Sequence, residues 1–207
     1  MSDQLNVAPT QGNLLRLQDE LEQVQNGHDL LDRKREVLIQ RLMEALAEAE
    51  RVKQEARERF RAAHNALRRA RMRMGARRVQ EITLNPTAEV AVQVDTRSIM
   101  GARVPVIHIE VTPDDPPYGP GDTRATLDRA RQLWLELLEY LRDLAEKVAT
   151  VWRLALELRK TQRRVNALET IIIPQYKNSI SAIEQTLAEA GREDIIRTKK
   201  IKARHQQ

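Results

Sequence analysis

The stretch LDRKREVLIQRLMEALAEAERVKQEA, residues 31–56, decides the fold, because its apolar residues recur at steps of three and four. The same rhythm runs from residue 14 to residue 70. Its members are Leu14, Leu17, Leu21, Val24, Leu31, Leu38, Leu42, Ala45, Ala49, Val52, Ala56, Ala63, Ala66 and Ala70. A stripe of two apolar positions in seven is typical of a coiled coil, since slight under-winding keeps one narrow face on a partner helix. Residues 13–75 are therefore predicted to form one helix, capped by Thr10 or Asn13 and ended by Gly75.

A second helix with the same rhythm is predicted over residues 123–204. Its apolar series is Leu127, Ala130, Trp134, Leu137, Leu141, Leu144, Val148, Val151, Ala155, Leu158 and Val165, with Gln162 as a polar member. Beyond Val165 the steps lengthen to four, which resembles a coiled-coil stutter. Pro174 lies within this part, so a kink is predicted near residue 174.

Residues 76–122 change period and predict a small β-hairpin between the helices. Alternating apolar residues mark strands at residues 89–96 and 104–111, with a slip near Pro105 and a turn at residues 98–101. Loops are predicted at residues 85–86 and 113–121. The fold class is thus all-α: a long antiparallel two-helix coiled coil with a small β-hairpin insert at the end distal to the termini. We expect this hairpin to lie outside the helical seam.

Composition narrows the classes of function. The chain has 207 residues, of which 31% are charged and 3% aromatic, no cysteine, and a net charge of +5. It contains no P-loop, no Gly-rich dinucleotide turn and no ligand cluster with metal spacing, so no catalytic, cofactor-binding or metal-binding residue is predicted. No apolar run approaches the roughly 20 residues of a membrane span. These features favour an intracellular structural or binding protein over an enzyme.

Two features could bind partners. The first is a basic stretch without acidic residues, formed by Arg61, Arg68, Arg69, Arg71, Arg73, Arg77 and Arg78. It could contact an acidic protein, nucleic acid or membrane headgroups; alternatively, it is a solvated helix end whose arginines meet acids of the second helix. The second feature is Trp152, which lies off the seam and is a candidate partner surface, whereas Trp134 lies on the seam and is expected to pack.

Two motifs point to a known family. The run KTQRRVNALETIIIPQYK, residues 160–177, continues through Ile180, Ile183 and Leu187 into a basic tail. An earlier motif contains Pro9, Thr10, Asn13, Leu14, Leu15, Gly27, Leu30, Leu31, Lys34, Arg35 and Glu36. Together they resemble the D subunit of V-type and A-type ATPases, which is the rotor subunit of the central stalk.

The resemblance implies a non-catalytic rotor axle that couples ATP hydrolysis or synthesis in a catalytic hexamer to rotation of a membrane ion-transport ring. Its implied partners are the catalytic and nucleotide-binding A and B subunits, the F subunit, and a funnel-shaped adaptor on the membrane ring. The implied location is cytoplasmic and peripheral to the membrane, with no nucleic acid bound. A basic coiled-coil scaffold attached to nucleic acid or a membrane surface is the alternative. The γ-type axle of F-type ATPases fits less well, since the large α/β insert expected there is missing.

Specific residues follow from this resemblance. If the helices span residues 13–75 and 123–204, the second is longer by about 19 residues, or about 28 Å, and can project beyond the pair. The basic residues expected to contact the catalytic ring are Arg163, Arg164, Arg192, Arg197, Lys199, Lys200, Lys202 and Arg204. Pairing residues whose numbers sum to roughly 202 places Arg35 opposite Glu169 as a polar pair that fixes the register of the seam.

Overall fold

The computed structural model describes residues 7–82, 88–113 and 125–205. The elements are α1 (Gln11–Met74), α2 (Ala76–Ile82), β1 (Ala88–Ile99), β2 (Ala102–Pro113), α3 (Ala125–Ala167), a π-helical turn (Leu168–Ile172) and α4 (Ile173–His205). This confirms the all-α class with a β-hairpin insert. The predicted loop at residues 85–86, residues 114–121 of the predicted loop at 113–121, and the predicted helix start at residue 123 lie outside the described residues. Pro113 is the last residue of β2 instead of the first residue of a loop. The chain forms two compact units, the first from residues up to Val37 and from Arg159 onward, the second from Leu38–Leu158.

The two ends of α1 have the signals that the sequence provides. At the start, the hydroxyl of Thr10 accepts a hydrogen bond from the backbone N–H of Asn13 at 3.3 Å. At the end, Gly75 has a φ of 86° and donates its N–H to the carbonyl of Arg71 at 2.9 Å. This left-handed conformation favours glycine and stops the helix. The short helix α2 follows at once and was not predicted; its Val79 is buried in a cluster with Ala70 and Leu127.

In the first unit, α4 packs against the beginning of α1. The buried residues of this core are Leu14, Leu17, Ile180 and Ile183, with Val7, Leu21, Tyr176 and Leu187 packed around them. Two polar contacts flank the core: Gln18 donates to Glu184 at 3.3 Å, and the hydroxyl of Tyr176 donates to Glu20 at 3.2 Å. The two helices are therefore paired through a leucine and isoleucine seam, as the sequence predicts.

The π-helical turn lies where the predicted apolar steps lengthen. The N–H of Ile173 donates to the carbonyl of Leu168, five residues earlier, which is the hydrogen bond of a π-helix. Pro174 follows directly and has no N–H to donate, so the regular α-helical ladder is already interrupted at this point. Turns of this kind are one recognised cause of helix kinks. The kink near residue 174 stays a prediction.

In the second unit, the hairpin is longer and more regular than predicted. Its register is continuous from Ala88 opposite Pro113 to Ile99 opposite Ala102. Met100 and Gly101 form the two-residue turn with φ values of 51° and 85°, the positive values that a type I′ turn requires. The slip in apolar alternation near Pro105 does not interrupt this register.

The reason lies in the hydrogen-bond pattern of the hairpin. In a two-residue hairpin the closing pair is hydrogen-bonded, so alternate residues of β2 direct their N–H groups away from β1. Pro105 occupies one of these outward positions, where a missing N–H costs no ladder bond. Ile107 occupies the next outward position, and its N–H donates to the carboxylate of Glu146 on α3 at 3.2 Å.

The hairpin tip packs against the helices of the same unit. Ile99 and Ala102 belong to the cluster around Leu38 and Leu154. Val104, on the same face as Ala102, is 1% exposed. The expectation that the hairpin lies outside the seam is therefore wrong, because its tip covers apolar residues of both long helices.

The seam of α3 also differs from the prediction. The seven-residue series Ala130, Leu137, Leu144, Val151, Leu158 and Val165 is buried or half-buried throughout. The second position of the seam, however, changes side along the helix. Near the start it is occupied by Leu127, whereas further along Leu154 and Thr161 are buried. Leu141 and Val148, which were predicted to lie in the seam, are 43% and 42% exposed.

Candidate partner-binding surfaces

The last part of α4 has no partner within the described structure. From residue 188 to residue 202 every side chain is exposed. This segment, called here the C-terminal extension, contains the predicted ring-contact residues Arg192, Arg197, Lys199, Lys200 and Lys202. Arg204 lies in the same helix, and its side chain is outside the described residues. Residues 195–202 carry four basic and no acidic residues, so the end of the extension is a cationic helix surface.

Three isoleucines accompany these cations and were not predicted as contacts. Ile195, Ile196 and Ile201 are 58%, 54% and 51% exposed. Exposed apolar side chains on a helix without a described covering partner are available to bind another chain. The signal in the sequence was an apolar pair outside the four-residue rhythm of the preceding helix. The extension can therefore contribute apolar burial as well as charge.

Arg163 and Arg164 are also exposed, but they lie in the last turns of α3. Between Arg164 and Arg192 there are 28 residue steps of helix, roughly 40 Å at about 1.5 Å per residue. The structure therefore does not bring these two arginines together with the C-terminal extension. A partner that contacts both sets must cover a long stretch of this helix.

The two residues of the predicted seam pair, Arg35 and Glu169, differ from each other in burial and contacts. Arg35 is half-buried and forms an ion pair with Asp32, three residues earlier in α1. Glu169 lies in the π-helical turn with an exposed side chain. The pairing of Arg35 with Glu169 stays a prediction.

Trp152 lies on an exposed apolar face of α3. Its side chain is 65% exposed, and the neighbours on the same face are Leu141, Ala145, Val148 and Leu156, all exposed. We call these five residues the Trp152 stripe. Trp134, in contrast, packs edge-to-face on Phe60, with ring centroids 5.7 Å apart and an interplanar angle of 83°. The structure thus confirms packing for Trp134, and the Trp152 stripe is a candidate contact surface.

Two members of the basic stretch have described ion pairs. Arg77 and Arg78 both pair with Glu81 of α2. Within the part of the chain that the structure describes, the side chains of the remaining members form no hydrogen bond or ion pair; these are Arg61, Arg68, Arg69, Arg71 and Arg73. Several arginine side chains without acidic partners create a local positive potential.

One titratable group in the first unit has a shifted pKa. Burial against the Leu14 and Ile180 core raises the pKa of Tyr176 above its usual 10.0. The negative charge of Glu20 and its hydrogen bond with the Tyr176 hydroxyl raise this pKa further. The neutral phenol therefore stabilises the contact between α1 and α4.

Neither a metal site nor a membrane span is found in the described parts of the chain. Over residues 7–82, 88–113 and 125–205, no three His, Asp or Glu side chains are grouped so that they could hold a metal ion. In the same residues no helix is both long and apolar enough to cross a membrane. The candidate sites are surfaces of long helices. The chain is therefore a coiled-coil protein of the class that binds other proteins.

Comparison with known proteins identifies the family. The family described as the ATP synthase D subunit matches residues 13–203. The chain is 37% identical over 198 residues to the D subunit of the V-type ATP synthase of Thermotoga neapolitana, covering 96% of this chain and 98% of the relative. It is 37% and 38% identical over 206 residues to the D subunits of the A-type ATP synthases of Pyrococcus horikoshii and Pyrococcus abyssi, covering 98% of this chain and 96% of each relative. The chain belongs to the family of ATP synthase D subunits.

Proposed function

We propose that this chain is the central rotor axle of a V/A-type ATP synthase, turning within a hexamer of A and B subunits. The family membership supports the complex, and the C-terminal extension is the observation that supports the role within it. Residues 188–202 are exposed on all sides in a helix that continues beyond its packed core. Such a segment is suited to insertion into a ring of other chains.

The coupling mechanism is differential contact. A single helical extension is asymmetric, so at any moment it contacts the catalytic subunits around it differently. Contacts that differ between subunits shift their nucleotide affinities, and reciprocally nucleotide binding biases the position of the axle. In this proposal the chain performs no chemistry itself; ATP is bound and hydrolysed or formed by the surrounding subunits.

Two further partners are proposed. The Trp152 stripe is assigned to the F subunit, because a clasping subunit would cover exposed apolar side chains on α3. A funnel-shaped adaptor would link the axle to the membrane ring, which makes the chain cytoplasmic and peripheral. Changing Trp152 to Ala should weaken binding of the F subunit by about tenfold or more, since large aromatic residues dominate interface energetics. Equal affinity of the variant and the unchanged chain would remove this assignment.

The axle role is tested by truncation after Ala190 in a complex reconstituted with the A, B and F subunits. The truncated chain should fold and bind the F subunit, because the Leu14 and Ile180 core is intact. It should lose affinity for the hexamer and lower ATP-driven rotation. Full ATP turnover and full torque with the truncated chain would contradict the proposed role of the extension.

Charge and apolar contributions can be separated with two matched variants. One replaces Arg197, Lys199 and Lys200 by Gln; the other replaces Ile195, Ile196 and Ile201 by Ser. The loss caused by the first should grow as salt falls, because the attraction that it removes is least screened there. The loss caused by the second should depend little on salt, since apolar burial is not screened.

A further inference from the structure

The basic stretch and the start of α3 together line a small cavity in the second unit. Its volume is about 290 Å³. The residues that line it are Ala66, Arg69, Arg73, Ala125, Thr126 and Arg129. The two alanines have short side chains, which leaves the space open between the longer ones. Three of the six residues are therefore arginines, supplied by two different helices.

The charge of this cavity is not compensated by the described residues that line it. These carry three guanidinium groups and no carboxylate. Arg69 and Arg73 are one helical turn apart on α1 and have no partner among the residues that the structure describes. Arg129 donates one N–H to the side-chain oxygen of Gln132 at 3.0 Å, which leaves its other donors available.

The chemistry of this arrangement favours one class of ligand. Like charges around one cavity repel each other, so an anion that lies among them lowers the energy of the site. Guanidinium groups present forked donors that match phosphate oxygens, often with two hydrogen bonds each. With three such groups, an anion with more than one phosphate group satisfies more donors than a single phosphate. Among the described residues that line the cavity there is no aromatic side chain on which a nucleic-acid base could stack.

We propose that Arg69, Arg73 and Arg129 form a binding site for an anion with two or more phosphate groups. The site lies in the second unit, and it does not depend on the proposed axle role. Phosphate groups of this kind could come from a free diphosphate or from a lipid headgroup. The experiment has an arm for each source.

The main experiment is calorimetric titration of the full chain with inorganic pyrophosphate at constant ionic strength. Replacing Arg69 and Arg73 together by Gln should weaken binding by more than about tenfold, since each charge-assisted hydrogen bond contributes about one order of magnitude in affinity. Replacing Arg129 alone by Gln should weaken it about tenfold, for the same reason. The matched control replaces Arg61 and Arg71 by Gln; it removes the same charge from the same stretch but does not touch the cavity, and should change affinity by less than about threefold.

The second arm uses phosphatidylcholine vesicles with and without a phosphatidylinositol bisphosphate, whose headgroup carries more than one phosphate group. Vesicle binding that requires this lipid and is lost with the Arg69 and Arg73 substitutions would identify a lipid headgroup as the source. Pyrophosphate binding without vesicle binding would identify a free anion. Equal losses in the cavity variant and the control, with unchanged helicity by circular dichroism, would show only non-specific attraction and overturn the proposal. Absence of binding in both arms would also overturn it.

Discussion

Two leucines of α3, two residues apart, test the observed seam. Leu154 is 1% exposed and belongs to the cluster with Leu38 and Ala102, whereas Leu156 is 50% exposed on the Trp152 stripe. Changing Leu154 to Ala removes buried methyl groups and leaves a cavity between α1, α3 and the hairpin tip. We expect a loss of about 3 kcal/mol in the free energy of unfolding. The same change at Leu156 should cost less than about 1 kcal/mol, because half of that side chain is already in water and alanine favours the helix.

The assay is urea unfolding followed by tryptophan fluorescence. Trp134 and Trp152 both lie in the unit formed by Leu38–Leu158, so the signal reports on the unit that contains the substitution. Far-ultraviolet circular dichroism then checks that each variant starts with the same helix content. Equal costs for the two substitutions, or a cost below about 1 kcal/mol at Leu154, would refute the observed seam and favour the simple heptad series.

Three further predictions concern the hairpin, the glycines and the titration of Tyr176. Replacing residues 88–112 by a short linker should destabilise the second unit by roughly 2 kcal/mol or more, because it uncovers Leu38 and its neighbours. An unchanged unfolding midpoint, measured by fluorescence, would contradict the packing of the hairpin tip. Neither Gly75 nor Gly27 has another atom within 4 Å of an added methyl group, so only the backbone conformation distinguishes them. Changing Gly75, with a φ of 86°, to Ala should cost about 1–2 kcal/mol of strain, whereas the same change at Gly27 inside α1 should stabilise by about 0.5–1 kcal/mol. The thermal unfolding midpoints of the two variants should therefore shift in opposite directions. Because the folded-state pKa of Tyr176 is raised, its contribution to stability is complete below the unfolded pKa of about 10 and is lost as the pH rises through the folded value. The difference in the free energy of unfolding between the unchanged chain and a Tyr176 to Phe variant should therefore shrink above about pH 10. A difference that stays constant with pH would argue against the raised pKa.

The seam of α1 was almost fully predictable from its sequence. Every buried residue of α1 belongs to the predicted apolar series. A long helix that packs against one principal partner buries a single stripe of apolar residues. The local periodicity of the sequence is therefore sufficient to identify its buried residues. The capping threonine and the stop at Gly75 were predictable for the same reason, since both depend on neighbouring backbone groups only.

The seam of α3 was less predictable because its environment is not local. Residues near Leu154 contact the hairpin tip as well as α1, and the hairpin is distant in sequence. The sequence also predicted the register between the helices only approximately. Pairs in contact, such as Glu48 with Lys147 and Gln18 with Glu184, have residue numbers that sum to 195 and 202, so one constant sum does not describe the whole alignment. The π-helical turn inserts about one residue into one helix, so it accounts for only a small part of this difference.

Leu141 and Val148 show why apolar periodicity alone could not identify the partner surfaces. Both continue the heptad series, and both are exposed beside Trp152. A heptad stripe indicates that a helix face is suited to burial, but the stripe is the same whether the covering chain is the second helix or another protein. Only the packed structure separates the two cases, because it shows which apolar faces the chain covers by itself. Among the described residues, the Trp152 stripe and the isoleucines of the C-terminal extension are two apolar surfaces that the chain leaves open. They are therefore candidates for contact with other subunits, and an axle held by several partners requires such surfaces.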